Sequence, residues 1–103
     1  MTYAETHAEA TTALTTCAWT HLQTEEESSG VRASRSVNGR LVHIAVDQVE
    51  PDTWKAEIAT RRHVLGVGRS ATALEAVLAA QCDAVHALSE LAHLCGASFG
   101  RVP

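Results

Sequence analysis

Aromatic residues are scarce in this chain, 4 % of 103, although 46 % of its residues are apolar. A core can therefore form, but from Ala, Val and Leu rather than from rings. The length suits one domain with one core. Long hydrophobic runs are missing too, since none nears the roughly 20 residues that span a bilayer. The first residues carry Glu5 and Glu9 and no basic segment, so no signal peptide is expected. Cys17, Cys82 and Cys95 are an odd number without a dense framework. That count predicts reduced thiols and a cytoplasmic setting. No C-x₂-C anchor for zinc and no Gly-Lys-Ser/Thr phosphate loop is present. The expectations are no enzyme, no cofactor, no bound metal and no membrane.

Charge is present but uneven. Residues 1–29 hold five acids and no Lys or Arg, residues 30–69 seven bases and four acids, and residues 70–103 three acids and one Arg. A mildly basic middle lies between acidic flanks, with a formal net charge of −4. That overall field opposes nucleic acid, although a local patch can still bind it.

The segment 70–95 reads as the longest helix, on which the rest is organised. Ser70 is one N-cap, and the capping box from Thr72 to Glu75 offers another. Leu74, Val77, Leu78, Val85, Leu88, Ala92 and Cys95 fall on one face and predict its buried side. At 1.5 Å per residue its 26 positions extend about 39 Å, more than a small sheet covers, so its last turns should overhang or meet a partner. Gly96 marks its end. Residues 1–96 then form the domain and 97–103 a flexible C-terminal tail.

Residues 3–27 read as a first helix, with Tyr3, His7, Ala10, Leu14, Cys17, Ala18, His21 and Leu22 on one side. Trp19 falls off that face and is expected at the surface, as a contact anchor. Between the helices, Asn38-Gly39 suits a two-residue hairpin turn. Pairing Val37 with Arg40 sets Arg35 opposite Val42, Ala33 opposite Ile44 and Val31 opposite Val46. Trp54, Ala56 and Ile58 alternate with Lys55, Glu57 and Ala59 as a third strand. A turn at Arg61-Arg62 would bring Ile58 beside Leu65 and Ala56 beside Val67. Gly66 and Gly68 leave that fourth strand thin on its outer face and mark a close backbone approach. The fold class is α+β, in the order α-β-β-β-β-α: a four-stranded antiparallel meander with both helices on one face.

Histidine is the one polar type in unusual supply: His7, His21, His43, His63, His86 and His93. Cys17-x₃-His21 and Cys82-x₃-His86 each place two ligand types one helical turn apart, the geometry of half a tetrahedral zinc site. A buried small cysteine and a solvated histidine is the plainer reading of each pair. Cys82, His86, His93 and Glu75 share a flank, but a Cys–His nucleophile there lacks an orienting third group and an oxyanion hole. Gly66-Val67-Gly68-Arg69-Ser70 before a helix suits a tight strand-to-helix turn better than a phosphate site.

Trp54-Lys55-Ala56-Glu57-Ile58, then Gly66-x-Gly68-x-Ser70, then a helix with Leu78-Ala79-Ala80, resembles the second half of double-stranded-RNA-binding domains. That family sets lysines just after the serine to clamp phosphates; this chain has Ala71 and Thr72 there. Gly66 to Ser70 followed by Glu75-Ala76 also resembles HicB-type antitoxin domains. Both likenesses lie within residues 41–90. They imply either an antitoxin-like partner protein or an RNA-binding module built on Arg32, Arg35, Arg40, Arg61, Arg62 and Arg69.

The leading expectation is a small non-enzymatic protein acting by protein–protein contact: an inhibitor, antitoxin or adaptor, of phage or mobile-element type, an anti-CRISPR-type inhibitor included. Its expected contact residues are Glu5, Glu9, Trp19, Glu25, Glu26, Glu27, Arg32, Leu41, His43 and Lys55. The acids would occupy a basic groove on the target, and the reverse face of the sheet has the mixed composition of a non-obligate interface. Self-association through that face or the overhanging helix is a further expectation.

Overall fold

A computed structural model describes residues 3–24, 30–37 and 39–98. The elements are α1 (Tyr3–Thr16), β1 (Thr20–Thr24), β2 (Val31–Val37), β3 (Arg40–Glu50), β4 (Thr53–Ala59), β5 (Val64–Ser70) and α2 (Ala73–Ser98). All five strands form one antiparallel meander in the order β1-β2-β3-β4-β5. Both helices lie on one face of it. The class is α+β as expected, with five strands rather than four.

The extra strand comes from the segment read as the end of the first helix. α1 stops at Thr16 in a Schellman arrangement: the Trp19 N–H reaches the Leu14 carbonyl at 2.9 Å and the Ala18 N–H the Thr15 carbonyl at 3.1 Å. Ala18 takes the left-handed conformation this needs, at φ 65°. Thr15 and Thr16 favour such a stop, being β-branched residues with weak helix preference. The chain then turns back to pair Thr20 with Ser34 and Thr24 with Val31, around an irregularity where His21 has φ 50°. Helical spacing of Cys17, His21 and Leu22 was accidental, because pairing with the edge of β2 outweighs it.

Trp19 is the main correction to the first half. It is 4 % exposed and belongs to the core with Leu14, Val31, Ile44 and Trp54. Its indole N–H donates to the Gln81 side-chain oxygen at 3.0 Å, and the Arg35 guanidinium lies 4.9 Å from its ring centroid. A buried indole needs such a partner. Trp19 follows the helix stop rather than continuing the helix, so its direction could not be read from helical angles.

The β2–β3 hairpin has the register the Asn-Gly pair dictates: Val37↔Arg40, Arg35↔Val42, Ala33↔Ile44 and Val31↔Val46. Gly39 has φ 78°; Asn38 lies outside the described residues. The inner face buries Val31, Ala33, Ile44, Val46, Trp54, Ala56 and Ile58.

The β4–β5 register differs from the expected one. Ile58 faces Gly66 and Ala56 faces Gly68, with an irregularity before Ala59↔Val64. The two glycines are thus on the inner face, under α2, and not on the outer one. A Cβ on Gly66 would lie 2.4 Å from the Ala80 carbonyl oxygen, and one on Gly68 2.3 Å from that of Ala76. Turning Leu65 and Val67 inward would hold the helix off the sheet, so the close approach sets the register.

That approach also decides which side of α2 is buried. Ala73, Ala76, Val77, Ala80 and Ala84 are at most 6 % exposed. Of the expected face only Val77 is buried among the described side chains. Leu74, Leu78, Val85 and Leu88 are 38, 46, 62 and 47 % exposed, about 100° round the helix from the alanine stripe. α2 starts three residues later than expected: Ser70 ends β5, and Thr72 is the cap, its Oγ1 accepting the Glu75 N–H at 3.2 Å. The helix runs to Ser98, past Gly96. Ala84 is its last buried described residue, and from Val85 to Glu90 every side is exposed.

Candidate interaction surfaces

Because both helices cover one face, the other face of the sheet is open. Cross-strand pairing sets its rows. Arg32, Ala45, Glu57 and Val67 form one row, and Asp47, Lys55 and Arg69 another. His43 stands between Ser34 and Ala59. Lys55 and Glu57 form an ion pair at 3.7 Å, part-exposed and so weakly stabilising. A shallow depression of ≈ 370 Å³ lies over this surface, lined by His21, Arg32, Ser34, His43 and Glu57 among others.

At one end the face becomes strongly basic. β4 stops at Ala59, opposite His43, so Arg40, Leu41 and Val42 pair only with β2. The β4–β5 turn curls beside that free stretch of β3. It is closed by the Thr60 N–H to the His63 carbonyl at 2.9 Å, with the Thr60 hydroxyl accepting the His63 N–H at 3.3 Å. Arg40, Leu41, His43, Thr60, Arg61, Arg62 and His63 line a depression of ≈ 690 Å³, with no acid among the described residues of its lining.

The structure brings Arg32, Leu41, His43 and Lys55 together on this open side. Glu5 and Glu9 lie on α1, in the helical layer, away from that side. Glu9 accepts the first N–H of α2, from Ala73, at 3.1 Å, an acid placed where the helix dipole favours it. Trp19 is withdrawn into the core. Glu25, Glu26 and Glu27 lie outside the described residues.

The metal and nucleophile pairs come out differently. Cys17 follows α1 and His21 sits in β1, so they do not share a helical face. Burial raises the Cys17 thiol pKa, with the nearby Arg35 charge pulling it partly back down. Its thiolate is disfavoured, the reverse of a poised nucleophile or ligand. Cys82 and His86 are exposed on α2, where His86 approaches Glu90 at 3.2 Å. The side chain of His93 is outside the described set. Among the described residues, no three or more His, Cys, Asp or Glu side chains gather as metal ligands. Nor is any described helix long and apolar enough to cross a membrane.

Sequence reasoning assigned Leu78, Val85 and Leu88 to the core, and so missed them as surface. The signal was available: two glycines two positions apart, in a strand preceding an alanine-rich helix, indicate that the alanines face the strand. Val67, 36 % exposed on the open face, was displaced by the same register change.

No protein-family model, curated protein or solved structure matches this chain.

Proposed function

We propose that this protein is a non-enzymatic binding module that engages an acidic surface of a partner protein through the open face of its sheet. The observation that carries this reading is that, among the described residues, no element covers one face of the sheet, and that this face is predominantly basic. Arg32, Lys55 and Arg69 lie on it and Arg40, Arg61 and Arg62 at its tip, against Asp47 and Glu57. Leu41, Val64 and Val67 add exposed apolar contacts beside those charges. Mixed apolar and arginine-rich surface is the composition of protein interfaces. An inhibitor, antitoxin or adaptor works by such contact, and reduced Cys17 and Cys82 suit a cytoplasmic setting.

The test is capture of a partner from host lysate by wild type and by an Arg32→Glu/Lys55→Glu variant. A partner retained equally by both overturns the assignment of the face. Binding should also weaken from low to high salt, as complementary charges are screened.

Duplex RNA is the second reading, favoured by the basic depression of Arg40, Arg61 and Arg62. A mobility shift of duplex RNA at micromolar protein and moderate salt, lost in Arg61→Glu/Arg62→Glu, would replace the first reading with this one. The net charge of −4 and the exposed valines and leucine argue for protein.

A further inference from the structure

We infer that α2 is a dimerisation helix, and that a second copy of this chain docks antiparallel along the stripe of Leu78, Val85 and Leu88. The inference is independent of the open sheet face, which the pairing leaves uncovered.

Spacing comes first. Leu74, Leu78, Gln81, Val85 and Leu88 are separated alternately by four and three residues, and Ala92 and Cys95 continue that alternation in the sequence. This is the a/d pattern of a helix that packs along another helix of the same kind. The sheet does not use this stripe, because it holds the alanines. No position of the stripe carries a charge, so pairing desolvates none. Asp83, His86 and Glu90 lie on the far side of the helix, and Glu75 is turned about 100° away from the stripe.

Length gives the second argument. Beyond Ala84 the helix runs 14 residues to Ser98, and the described side chains there are exposed all round. Isolated helices shorter than about 12–15 residues are marginal in water. A partner along the stripe would supply the stability that the domain does not.

Area is consistent. The exposed parts of Leu74, Leu78, Val85 and Leu88 amount to about 350 Å² per chain, or some 700 Å² for two, before flanking positions. A specific interface needs roughly 1,000 Å². The helix pair therefore has to extend beyond these four side chains, into the turns approaching Ser98.

Direction follows from α1. It flanks the first half of the stripe, where Trp19 meets Gln81 and Leu74 lines a groove with Ala8, Glu9 and Thr12. Two chains running parallel would drive these flanks together. Antiparallel pairing centred on Val85 and Leu88 places the two domains at opposite ends and opposes the helix dipoles.

The experiment is light scattering on the full chain at 10–100 μM, about the range in which modest interfaces populate dimers. The expected mass is twice the 11.0 kDa of the monomer. Val85→Glu/Leu88→Glu should be monomeric with its far-UV spectrum retained over the sheet signal, while His86→Ala on the far side stays dimeric. A monomeric wild type overturns the inference, and so does a dimeric double variant. For direction, Val85→Cys and Leu88→Cys chains, each also carrying Cys82→Ser and Cys95→Ser, are mixed under mild oxidation. A mixed disulfide is the antiparallel result; like-with-like disulfides refute that orientation.

Discussion

Gly68→Ala should damage this protein severely, and Gly66→Ala comparably. The added Cβ would lie 2.3 Å from the Ala76 carbonyl oxygen, 2.4 Å from the Ala80 nitrogen and 2.8 Å from the Ala79 Cβ. Two of these are helix backbone, which cannot rotate away. Restoring ordinary contact means lifting α2 by about 1 Å, and a gap of that size forfeits a quarter to a half of each dispersion well along the contact. The loss falls on Ala76, Ala80 and Ala84, all in tight contact with the sheet. Overpacking of this kind costs about 3 kcal/mol, the upper end of the usual range. Against a total stability of about 5–15 kcal/mol that is a large fraction. The corresponding drop in Tm is roughly 12–24 °C for a domain of this size. Urea unfolding followed by tryptophan fluorescence measures it, since Trp54 and Trp19 are both buried. Gly39→Ala is the comparison: nothing lies within 4 Å of its Cβ, so its cost comes only from φ 78°, about 1 kcal/mol. A Gly68→Ala protein within about 0.5 kcal/mol of wild type would refute the packing argument, and with it the reason given for the β4–β5 register.

Other outcomes follow from single residues. Ala18→Gly should stabilise by about 0.5–1 kcal/mol in the same urea assay, because Ala18 holds a left-handed φ of 65° that glycine adopts freely. Thr72→Ala should cost about 1 kcal/mol by removing the acceptor for the Glu75 N–H, while Thr72→Ser keeps most of it. A thiol reagent at pH 8 should modify exposed Cys82 before part-buried Cys17; equal rates would contradict the burial assigned to Cys17. The raised Cys17 pKa also sets a direction for stability. Folding holds that proton more tightly, so the contribution is whole below the ordinary thiol value of 9.0 and is lost as pH rises through the higher folded value. Cys17→Ala should flatten that alkaline decline.

What could be read from sequence was whatever local chemistry fixes. Asn38-Gly39 set the β2–β3 register to the residue, and strict alternation placed Trp54, Ala56 and Ile58 inward. Three features depended instead on distant partners. Thr20–Thr24 is a strand because β2 offers an edge, although its own spacing is helical. Trp19 is buried because a helix stop at Ala18 redirects it towards Gln81, 62 positions away. The β4–β5 pairing shifted because α2 comes too close for side chains at 66 and 68. The candidate site divides the same way. Arg32, Leu41, His43 and Lys55 share a face by strand parity, which sequence shows. The depression at the hairpin tips exists because β4 stops at Ala59, opposite His43, and leaves the start of β3 unpaired on that side, which sequence does not show.

The misread face of α2 links packing to function. Hydrophobicity alone ranks leucine above alanine for the interior, and a helix covering an ordinary strand would obey that ranking. Here β5 presents glycines, so the shortest distance between backbones is reached with alanine, and a leucine in that stripe would push the helix away. The leucines and the valine at 85 are thereby left outside without any need for them in the core. An apolar stripe retained in water against its own transfer free energy calls for something to cover it. On this helix the stripe has a coiled-coil period and extends past the end of the sheet. Close glycine–alanine packing within one chain thus sets the larger side chains free to pack between chains.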